Sequence, residues 1–155
     1  MTAPAEKLMT PSKERLRLWL RLLRTTRQVE AELRERLRTE FDSTLPRFDV
    51  MAALARNPDG LKMNELSQSL KVSNGNVTGI VSRLVEDGWV TRIAIEGDRR
   101  ATRVRLTEAG QRTFAVMAEA HEHWVDELFS EFSVDKAHEL IELLDHLPVA
   151  HGEHG

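Results

Sequence analysis

The sequence predicts a mainly α (α+β) chain, in which a winged helix-turn-helix lies between long N- and C-terminal dimerisation helices. Two short helical segments joined by a tight turn lie in the middle of the chain, and a glycine-containing β-hairpin pattern follows them. Apolar residues at helical spacing extend on both sides. We expect an N-terminal arm and dimerisation helix over 1–45, the winged helix-turn-helix over 46–107, C-terminal dimerisation helices over 108–148 and a disordered tail over 149–155.

The composition narrows the class of protein. The 155 residues contain no cysteine, which excludes disulfides, thiolate metal ligands and thiol-based redox sensing. The N-terminus lacks the apolar stretch of a signal peptide, and no run approaches the roughly 20 apolar residues of a membrane span. We therefore expect a cytoplasmic protein with no membrane partner.

Charge is sorted along the chain, although the net charge is only -3. Residues 1–45 and 46–107 each carry ten Lys/Arg against seven Asp/Glu, whereas residues 108–155 carry two against eleven. Because salt screens charges beyond roughly 8–10 Å, the local balance decides what a surface attracts. A basic front and an acidic back are compatible with DNA binding on one face. The alternative is that the acidic helices only keep the protein soluble.

A long first helix is expected, with Ser12 as its cap and Arg15 to Phe41 as its body. A helix of about 27 residues spans ~40 Å, which is too long for one small domain to cover. Its apolar sector is also wide, so we expect a second chain to cover part of it. The apolar positions are Leu16, Leu18, Trp19, Leu20, Leu22, Leu23, Val29, Leu33, Leu37 and Phe41.

Three shorter helices are expected next. Pro46 opens the first, which ends before the turn signal at 57–60, and residues 63–70 form the second. Ser73 caps the third, and Gly88 ends it. The buried sides are expected to be Phe48, Val50, Met51 and Leu54, then Met63, Leu66 and Leu70, then Val77, Ile80, Val81, Leu84 and Val85.

A hairpin and two further helices complete the predicted fold. The strands cover 89–95 and 103–106, with a charged, glycine-containing turn at 96–101 between them. Thr107 caps a long helix, and Ser133 caps a final helix that Pro148 stops. The expected inward stripes are Phe114, Met117, His121, Trp124 and Leu128 on the first of these helices, and Ala137, Leu140, Ile141, Leu144 and Leu147 on the second.

The helix after Ser73 has the outer face that a major-groove helix needs. Its exposed side chains before Arg83 are neither bulky nor acidic, and Asn, Ser and Thr can meet base edges or phosphates. Two glycines in a helix interior cost roughly 1 kcal/mol each against alanine, so something other than helix stability accounts for them. The alternative is an ordinary surface helix of weak propensity. The DNA-binding residues expected here are Ser73, Asn74, Gly75, Asn76, Thr78, Gly79, Ser82 and Arg83.

The hairpin supplies the expected wing. Arg99, Arg100 and Arg103 can enter a minor groove, where the phosphates on both sides concentrate negative potential. Asp98 is expected to orient an arginine, because a phosphate repels a carboxylate. Taken alone, such a charged tip is usually only a solvated turn.

These motifs closely resemble the multiple-antibiotic-resistance regulator (MarR) family from about residue 15 to 147. The resemblance rests on residues 66–70, on 77–92 (VTGIVSRLVEDGWVTR), on Gly97-Asp98-Arg99-Arg100 and on 106–110 (LTEAG). It implies an obligate homodimer built from the first and last two helices, a recognition helix at 73–87 and a wing arginine at Arg100, acting on double-stranded DNA with a palindromic operator. Lys62 departs from the family, which often has a capping Thr or Ser there, so the helix that follows is expected to start weakly or be shifted.

The segments 15–23 and 45–51 resemble a narrower branch that controls catabolism of hydroxycinnamates and related aromatic acids, with several members responding to the CoA thioester. The resemblance implies a hydroxycinnamoyl-CoA or a free aromatic acid as effector. Aromatic and apolar side chains suit an aromatic acyl group, and arginines suit phosphates. The alternative is that these residues are core and dimer interface. The expected effector-binding residues are Trp19, Leu23, Arg24, Arg27, Phe48, Met51, Met117 and His121.

The expected function is a sequence-specific DNA-binding repressor that an aromatic small molecule releases from its operator. The alternative is a winged-helix protein-interaction module that does not read DNA sequence. An enzyme is not expected, because no phosphate loop, activated nucleophile or carboxylate pair stands out. No catalytic residue, cofactor or metal site is predicted: His121 and His123 are two apart on a helix and point in different directions.

Overall fold

The computed structural model describes residues 10–71 and 74–149, with the side chains of Asn74, Arg99 and Arg100 outside the description. The chain is mainly helical with one small sheet, which confirms the predicted fold class. Its elements are α1 (Pro11–Phe41), α2 (Leu45–Ala55), β1 (Leu61–Lys62), α3 (Met63–Leu70), α4 (Asn74–Glu86), β2 (Val90–Ile95), β3 (Asp98–Leu106), α5 (Glu108–Leu128) and α6 (Val134–Asp145).

Two compact units divide the chain, the first ending at His121 and the second beginning at Glu122. The core of the first unit is built where α2, α3 and α4 pack on one another and on the sheet. The predicted buried sides of these helices are largely correct, although Met63, Leu70, Ile80 and Val85 are only half-buried. The buried apolar side chains of this unit are Leu33, Leu37, Phe48, Val50, Met51, Ala53, Leu54, Leu66, Val77, Val81, Leu84, Val90, Val104, Leu106 and Met117.

The sheet has the strand order β1-β3-β2, and both pairings are antiparallel. The hairpin is confirmed, but its turn is shorter than expected because β3 already begins at Asp98. The register runs from Val90↔Leu106 to Ala94↔Thr102 and then moves to Ile95↔Asp98, which leaves residues 99–101 as a bulge in β3. A bulge bends a strand and increases its twist. Arg99 and Arg100 therefore belong to a bulged strand and not to a loop.

The first turn of α5 is fastened to the turn between α4 and β2. Thr107 caps α5 as predicted, because its Oγ1 accepts a hydrogen bond from the Gly110 amide at 3.0 Å. The same hydroxyl donates to the Gly88 carbonyl at 2.7 Å, and the Thr107 amide donates to the Trp89 carbonyl at 3.0 Å. A Cβ at Gly110 would overlap the carbonyl oxygen of Trp89, so this close approach requires glycine.

The start of α1 differs from the prediction. Thr10 is the N-cap, and its Oγ1 accepts from the Lys13 amide at 3.4 Å, so Ser12 as cap is wrong. Pro11 occupies the first helical position, where its fixed φ and missing N–H cost nothing, and this sets the start one residue before Ser12. The C-terminal half of α1 packs into the first unit through buried Leu33 and Leu37.

The N-terminal half of α1 is exposed. The exposed fractions of Leu16, Leu18, Trp19 and Leu20 lie between 53% and 58%. The 31 residues of α1 span roughly 46 Å, which exceeds what the first unit covers. The described chain therefore leaves a wide apolar sector of this helix facing solvent.

The second unit holds the end of α5 and all of α6. Ser133 caps α6 as predicted, since its Oγ accepts from the Lys136 amide at 3.2 Å. The predicted buried face of α6 is wrong for the single chain: Ala137 and Leu140 are half-buried, while Ile141, Leu144 and Leu147 are 57%, 39% and 49% exposed. The apolar spacing was correct, but no described element of the chain covers that face. On α5, Trp124 is buried, whereas Leu128 is 39% exposed.

None of the described helices is both long enough and apolar enough to span a lipid bilayer. The predicted disordered tail after residue 149 lies outside the described residues.

We expect Gly110→Ala to destabilise the fold, because the added methyl group must displace the backbone at Trp89. Overpacking of this kind costs about 1–3 kcal/mol. The measurement is the free energy of unfolding from urea titration, followed by circular dichroism.

Gly79→Ala is the matched control for that substitution. Gly79 is also helical, but no atom lies within 4 Å of a Cβ built there, so alanine should raise the free energy of unfolding by up to about 1 kcal/mol. Equal effects at the two positions would contradict the proposed packing at Gly110.

Candidate nucleic-acid interface

The outer face of α4 carries small residues. Its inner side is held by buried Val77, Val81 and Leu84, and the opposite side presents Gly75 and Gly79 with Ser82 three residues further. Both glycines are exposed, and a Cβ built at either would meet nothing within 4 Å. Packing within the chain therefore does not require glycine at these positions. The absence of side chains at Gly75 and Gly79 lets another molecule approach the backbone of α4 closely.

Polar groups flank this face. Asn76 and Thr78 are exposed on α4. Arg83 is exposed as well, but its guanidinium lies 3.9 Å from carboxylate oxygens of both Glu86 and Asp87. Surface pairs of this length contribute little, so a phosphate can compete for Arg83.

Arg92 is a residue that the sequence reasoning missed. It lies on β2, and its Nη2 donates a hydrogen bond to Ser82 Oγ on α4 at 3.0 Å. Its partner in the register is buried Val104, which shows that this side of the hairpin faces the helices. The signal was the alternation along β2: Val90 is buried, so Arg92, two residues on, shares its face.

Arg103 is held by internal partners at the base of the wing. Its Nη1 donates to the Gly60 carbonyl at 3.4 Å and lies 3.8 Å from Glu65 Oε1. In this arrangement its guanidinium joins β3 to the start of α3. The role of Arg103 as a DNA contact stays a prediction. It requires the guanidinium to leave the Gly60 carbonyl and Glu65 and to bind DNA instead.

The start of α3 has no capping hydroxyl and is stabilised by Glu65 instead. Lys62 occupies the N-cap and has no side-chain oxygen, but Glu65 Oε1 accepts from the Lys62 amide at 2.9 Å. This is one half of a capping box. The helix therefore begins at Met63 as predicted and is not shifted.

Some predicted DNA-binding residues fall outside the description. Ser73 lies outside the described residues, and nothing is described of the side chains of Asn74, Arg99 and Arg100. The backbone places Asn74 at the start of α4 and the two arginines in the bulge of β3. Their roles stay predictions.

The predicted effector residues fall into two groups. Phe48, Met51 and Met117 are buried in the first unit, and His121 stacks on Phe48 with ring centroids 4.6 Å apart. Phe114 lies 5.5 Å from the Phe48 ring. This placement agrees with the core role that the sequence left open for them.

The other group lies on the exposed half of α1, where Trp19, Arg24 and Arg27 are exposed and Leu23 is half-buried. In the described part of the chain, no ring contact, hydrogen bond or ion pair joins this group to Phe48. Arg24 also lines a shallow groove of about 370 Å³ along α1, together with Lys13, Leu16, Arg17, Leu20 and Arg21.

His121 and Asp49 perturb each other beside Phe48. Burial lowers the pKa of His121, and the nearby Asp49 carboxylate partly opposes this. Burial raises the pKa of Asp49, because its carboxyl group is partly shielded from water even though the residue as a whole is exposed.

Within residues 10–71 and 74–149, no group of three or more His, Asp or Glu side chains lies close enough together to hold a metal ion.

Comparisons with known proteins agree with this geometry. A model described as the MarR family matches residues 41–101. PecS, an HTH-type transcriptional regulator from Dickeya dadantii, is 31% identical over 63% of this chain and 60% of its own length, so this chain spans less than two thirds of that relative. The transcriptional activatory protein BadR from Rhodopseudomonas palustris is 30% identical over 79% of this chain and 69% of its own.

Solved structures show the same fold. A MarR family transcriptional regulator from Silicibacter pomeroyi matches with a TM-score of 0.73 and 39% identity, over 88% of this chain and 94% of that one. Sco3205, a MarR family regulator from Streptomyces coelicolor solved in complex with DNA, matches with a TM-score of 0.76 and 21% identity, over 92% and 89%. At that identity the second likeness concerns the fold alone.

We expect the stability of the protein to fall between about pH 7 and pH 5 through His121. Because the pKa of His121 is lowered below 6.5 in the folded state, the unfolded chain binds the proton more readily. Stability from this group is present above the unfolded pKa and is lost as pH falls towards the folded pKa. Melting temperatures across this range, compared for the wild type and His121→Gln, measure the effect.

The His121→Gln variant should show a flatter profile of melting temperature against pH than the wild type. An identical profile for His121→Gln and the wild type would contradict the assignment.

Proposed function

The chain belongs to the MarR family of transcriptional regulators, and we propose that it is a homodimeric repressor that binds a palindromic operator and is released by an aromatic small molecule or its CoA thioester. The observation that carries the DNA-binding part is the outer face of α4. Two exposed helical glycines that internal packing does not require are accounted for by close approach of a duplex.

The wing supports the same proposal. The hairpin follows α4 directly, and a bulge at 99–101 sets its two tip arginines apart from the regular ladder. A narrow minor groove concentrates negative potential that attracts arginine. Sco3205 was solved with DNA on the same fold, which supports this docking mode for the present chain.

Exposed apolar faces and complementary charge support the proposed homodimer. Residues 11–27 carry six Lys/Arg against one Asp/Glu, while residues 122–149 carry one against eight. Both segments also expose large apolar side chains, including Leu16 and Trp19 on α1 and Ile141 and Leu143 on α6. A basic apolar helix of one copy and an acidic apolar unit of the other complement each other. A two-fold dimer repeats that contact and presents two recognition helices, as a palindrome requires.

The effector proposal rests on the groove along α1. Leucines 16 and 20 line it together with four cationic side chains, which suits a ligand with an apolar body and an anionic group. An aromatic carboxylate has this chemistry, and so does its CoA thioester. Such a ligand releases DNA only if it binds better to the DNA-free arrangement of the dimer than to the DNA-bound one.

The direction of regulation needs its own measurement. BadR is named as an activatory protein, so membership of the family does not by itself make the present chain a repressor. Placing a reporter under the promoter of its own gene, with and without the protein, decides the sign. Lower expression in its presence supports a repressor, and higher expression contradicts that part of the proposal.

We expect Gly79→Leu to weaken DNA binding at least tenfold without destabilising the fold. Leucine has a better helix propensity than glycine, and its side chain has open space in the free protein, but it would occupy the gap that a duplex fills. Fluorescence anisotropy with a duplex from upstream of its own gene measures the affinity, and thermal melting checks the fold.

The control is Thr39→Leu, because Thr39 is an exposed residue on α1, away from the interface. If Gly79→Leu binds as tightly as the wild type, the outer face of α4 is not the DNA-reading surface. Wild-type binding without preference between this duplex and an unrelated one would favour the protein-interaction alternative.

We expect an aromatic effector to raise the melting temperature of the wild type and to lower its DNA affinity, since a ligand selective for the native state stabilises it. The thermal-shift screen compares 4-hydroxycinnamate, its CoA thioester and CoA alone. Arg24→Gln should reduce the shift, while Arg38→Gln, at the other end of α1, should not. A shift that Arg24→Gln leaves unchanged places the ligand elsewhere.

A further inference from the structure

We propose that Arg92, together with Ser82, binds a backbone phosphate of the DNA. This inference rests on the proposed function and adds Arg92, a residue outside α4 and away from the tip of the wing, as a contact that acts together with Ser82 of α4. It concerns the root of the wing, where β2 passes beside α4.

The position of Arg92 follows from the sheet register. Val90 pairs with Leu106 and Arg92 pairs with Val104, so these side chains share one face of the hairpin. At the base of the hairpin that face is buried, and at Arg92 it emerges to solvent. The guanidinium then reaches α4, where Nη2 lies 3.0 Å from Ser82 Oγ.

The charge of Arg92 is not compensated by the described part of the chain. Arg83 lies 3.9 Å from carboxylate oxygens, and Arg103 lies 3.8 Å from Glu65, whereas no such ion pair joins Arg92 to any residue of 10–71 or 74–149. A guanidinium has five N–H donors, and one hydrogen bond to a serine hydroxyl leaves most of them available. The Arg92 guanidinium is therefore positively charged, is held beside α4 by Ser82, and has further N–H groups that can donate to another acceptor.

The hydrogen bond also defines what Ser82 can do. Because Ser82 Oγ accepts from Arg92, its own O–H remains available as a donor. The pair thus offers a cationic donor and a neutral donor about 3 Å apart. Phosphate oxygens accept from both, and Arg–phosphate hydrogen bonds are among the strong ones.

The place of Ser82 on α4 favours a phosphate over a base. Residues near the N-terminus of a recognition helix contact base edges, and Ser82 lies in the C-terminal half of Asn74–Glu86. The charge comes from the neighbouring strand, on the flank of the helix. Contacts on the flank fix the register on the duplex and carry no sequence information.

The test is the salt dependence of DNA affinity. Each phosphate contact adds about 0.9 to the slope of log affinity against log salt concentration. Arg92→Gln should lower that slope by about 0.9 per bound protomer and weaken binding about fivefold per protomer at 150 mM salt. The probes are a 30-base-pair duplex that the wild type selects from a randomised pool and an unrelated duplex of equal length.

Three further variants separate the possible roles. Arg92→Lys keeps the charge and should keep the wild-type slope, while Ser82→Ala should lower the affinity with the slope unchanged. Arg105→Gln is the matched control, because Arg105 is an exposed arginine that pairs with Thr91 on the opposite face of the same hairpin. It should leave both affinity and slope unchanged. Thermal melting confirms that each variant folds.

The outcomes are distinct. A lower slope for Arg92→Gln on both duplexes, with Arg105→Gln unchanged, supports the phosphate contact. If Arg92→Gln keeps the salt slope of the wild type, the phosphate contact is overturned. Weaker binding with that unchanged slope assigns Arg92 to positioning Ser82. A loss confined to the selected duplex also overturns it, because the contact would then read a base. If the wild type selects no duplex from the pool and does not bind the unrelated duplex, the proposed function itself fails.

Discussion

The attachment of α5 to the α4–β2 turn is the constraint on which the arrangement of the first unit depends. Gly88, with a positive φ, lies between the end of α4 and the start of β2 at Val90, while Leu106 ends β3 and Thr107 caps α5. The Thr107 hydroxyl joins these ends by donating to Gly88 and accepting from Gly110. The missing side chain of Gly110 lets the helix approach the Trp89 carbonyl. The end of α4, the β2–β3 hairpin and α5 thereby share one fixed point.

The sequence alone predicted much of this fold, because the deciding signals were local. A Thr or Ser immediately before a segment of helical apolar spacing predicted the caps at Thr107 and Ser133, and apolar spacing predicted the core of α2 to α4. Local signals failed where partners come from far along the chain. The two-residue strand β1 forms only because β3 passes beside it, and Gly60 is needed there because a Cβ would lie 2.8 Å from the Val104 carbonyl oxygen.

The candidate site was predictable in its composition but not in its connections. The small outer face of α4 was evident from residue types, since exposed helical glycines carry a stability cost that demands a reason. The sequence did not show which arginines bind to other parts of the chain and which keep donors available. The register places Arg103 and Arg92 on opposite faces of one hairpin, and the side-chain contacts show that the first lies beside Glu65 while the second donates to Ser82. The sequence pattern does not distinguish an arginine that joins two elements of the fold, such as Arg103, from one whose N–H groups remain largely available, such as Arg92.

The proposed release of DNA by an effector requires an element that contacts two parts of the protein, and α5 has two such contacts within the first unit. At its start it holds the α4–β2 turn, and three turns further His121 stacks on Phe48 of α2. Because close-packed contacts yield by repacking and not by gradual deformation, a shift of α5 against α2 moves the fixed point at Gly110 with it. In the proposed dimer, α4 and the hairpin are joined by the hydrogen bond between Arg92 and Ser82 and would therefore move together relative to the second copy.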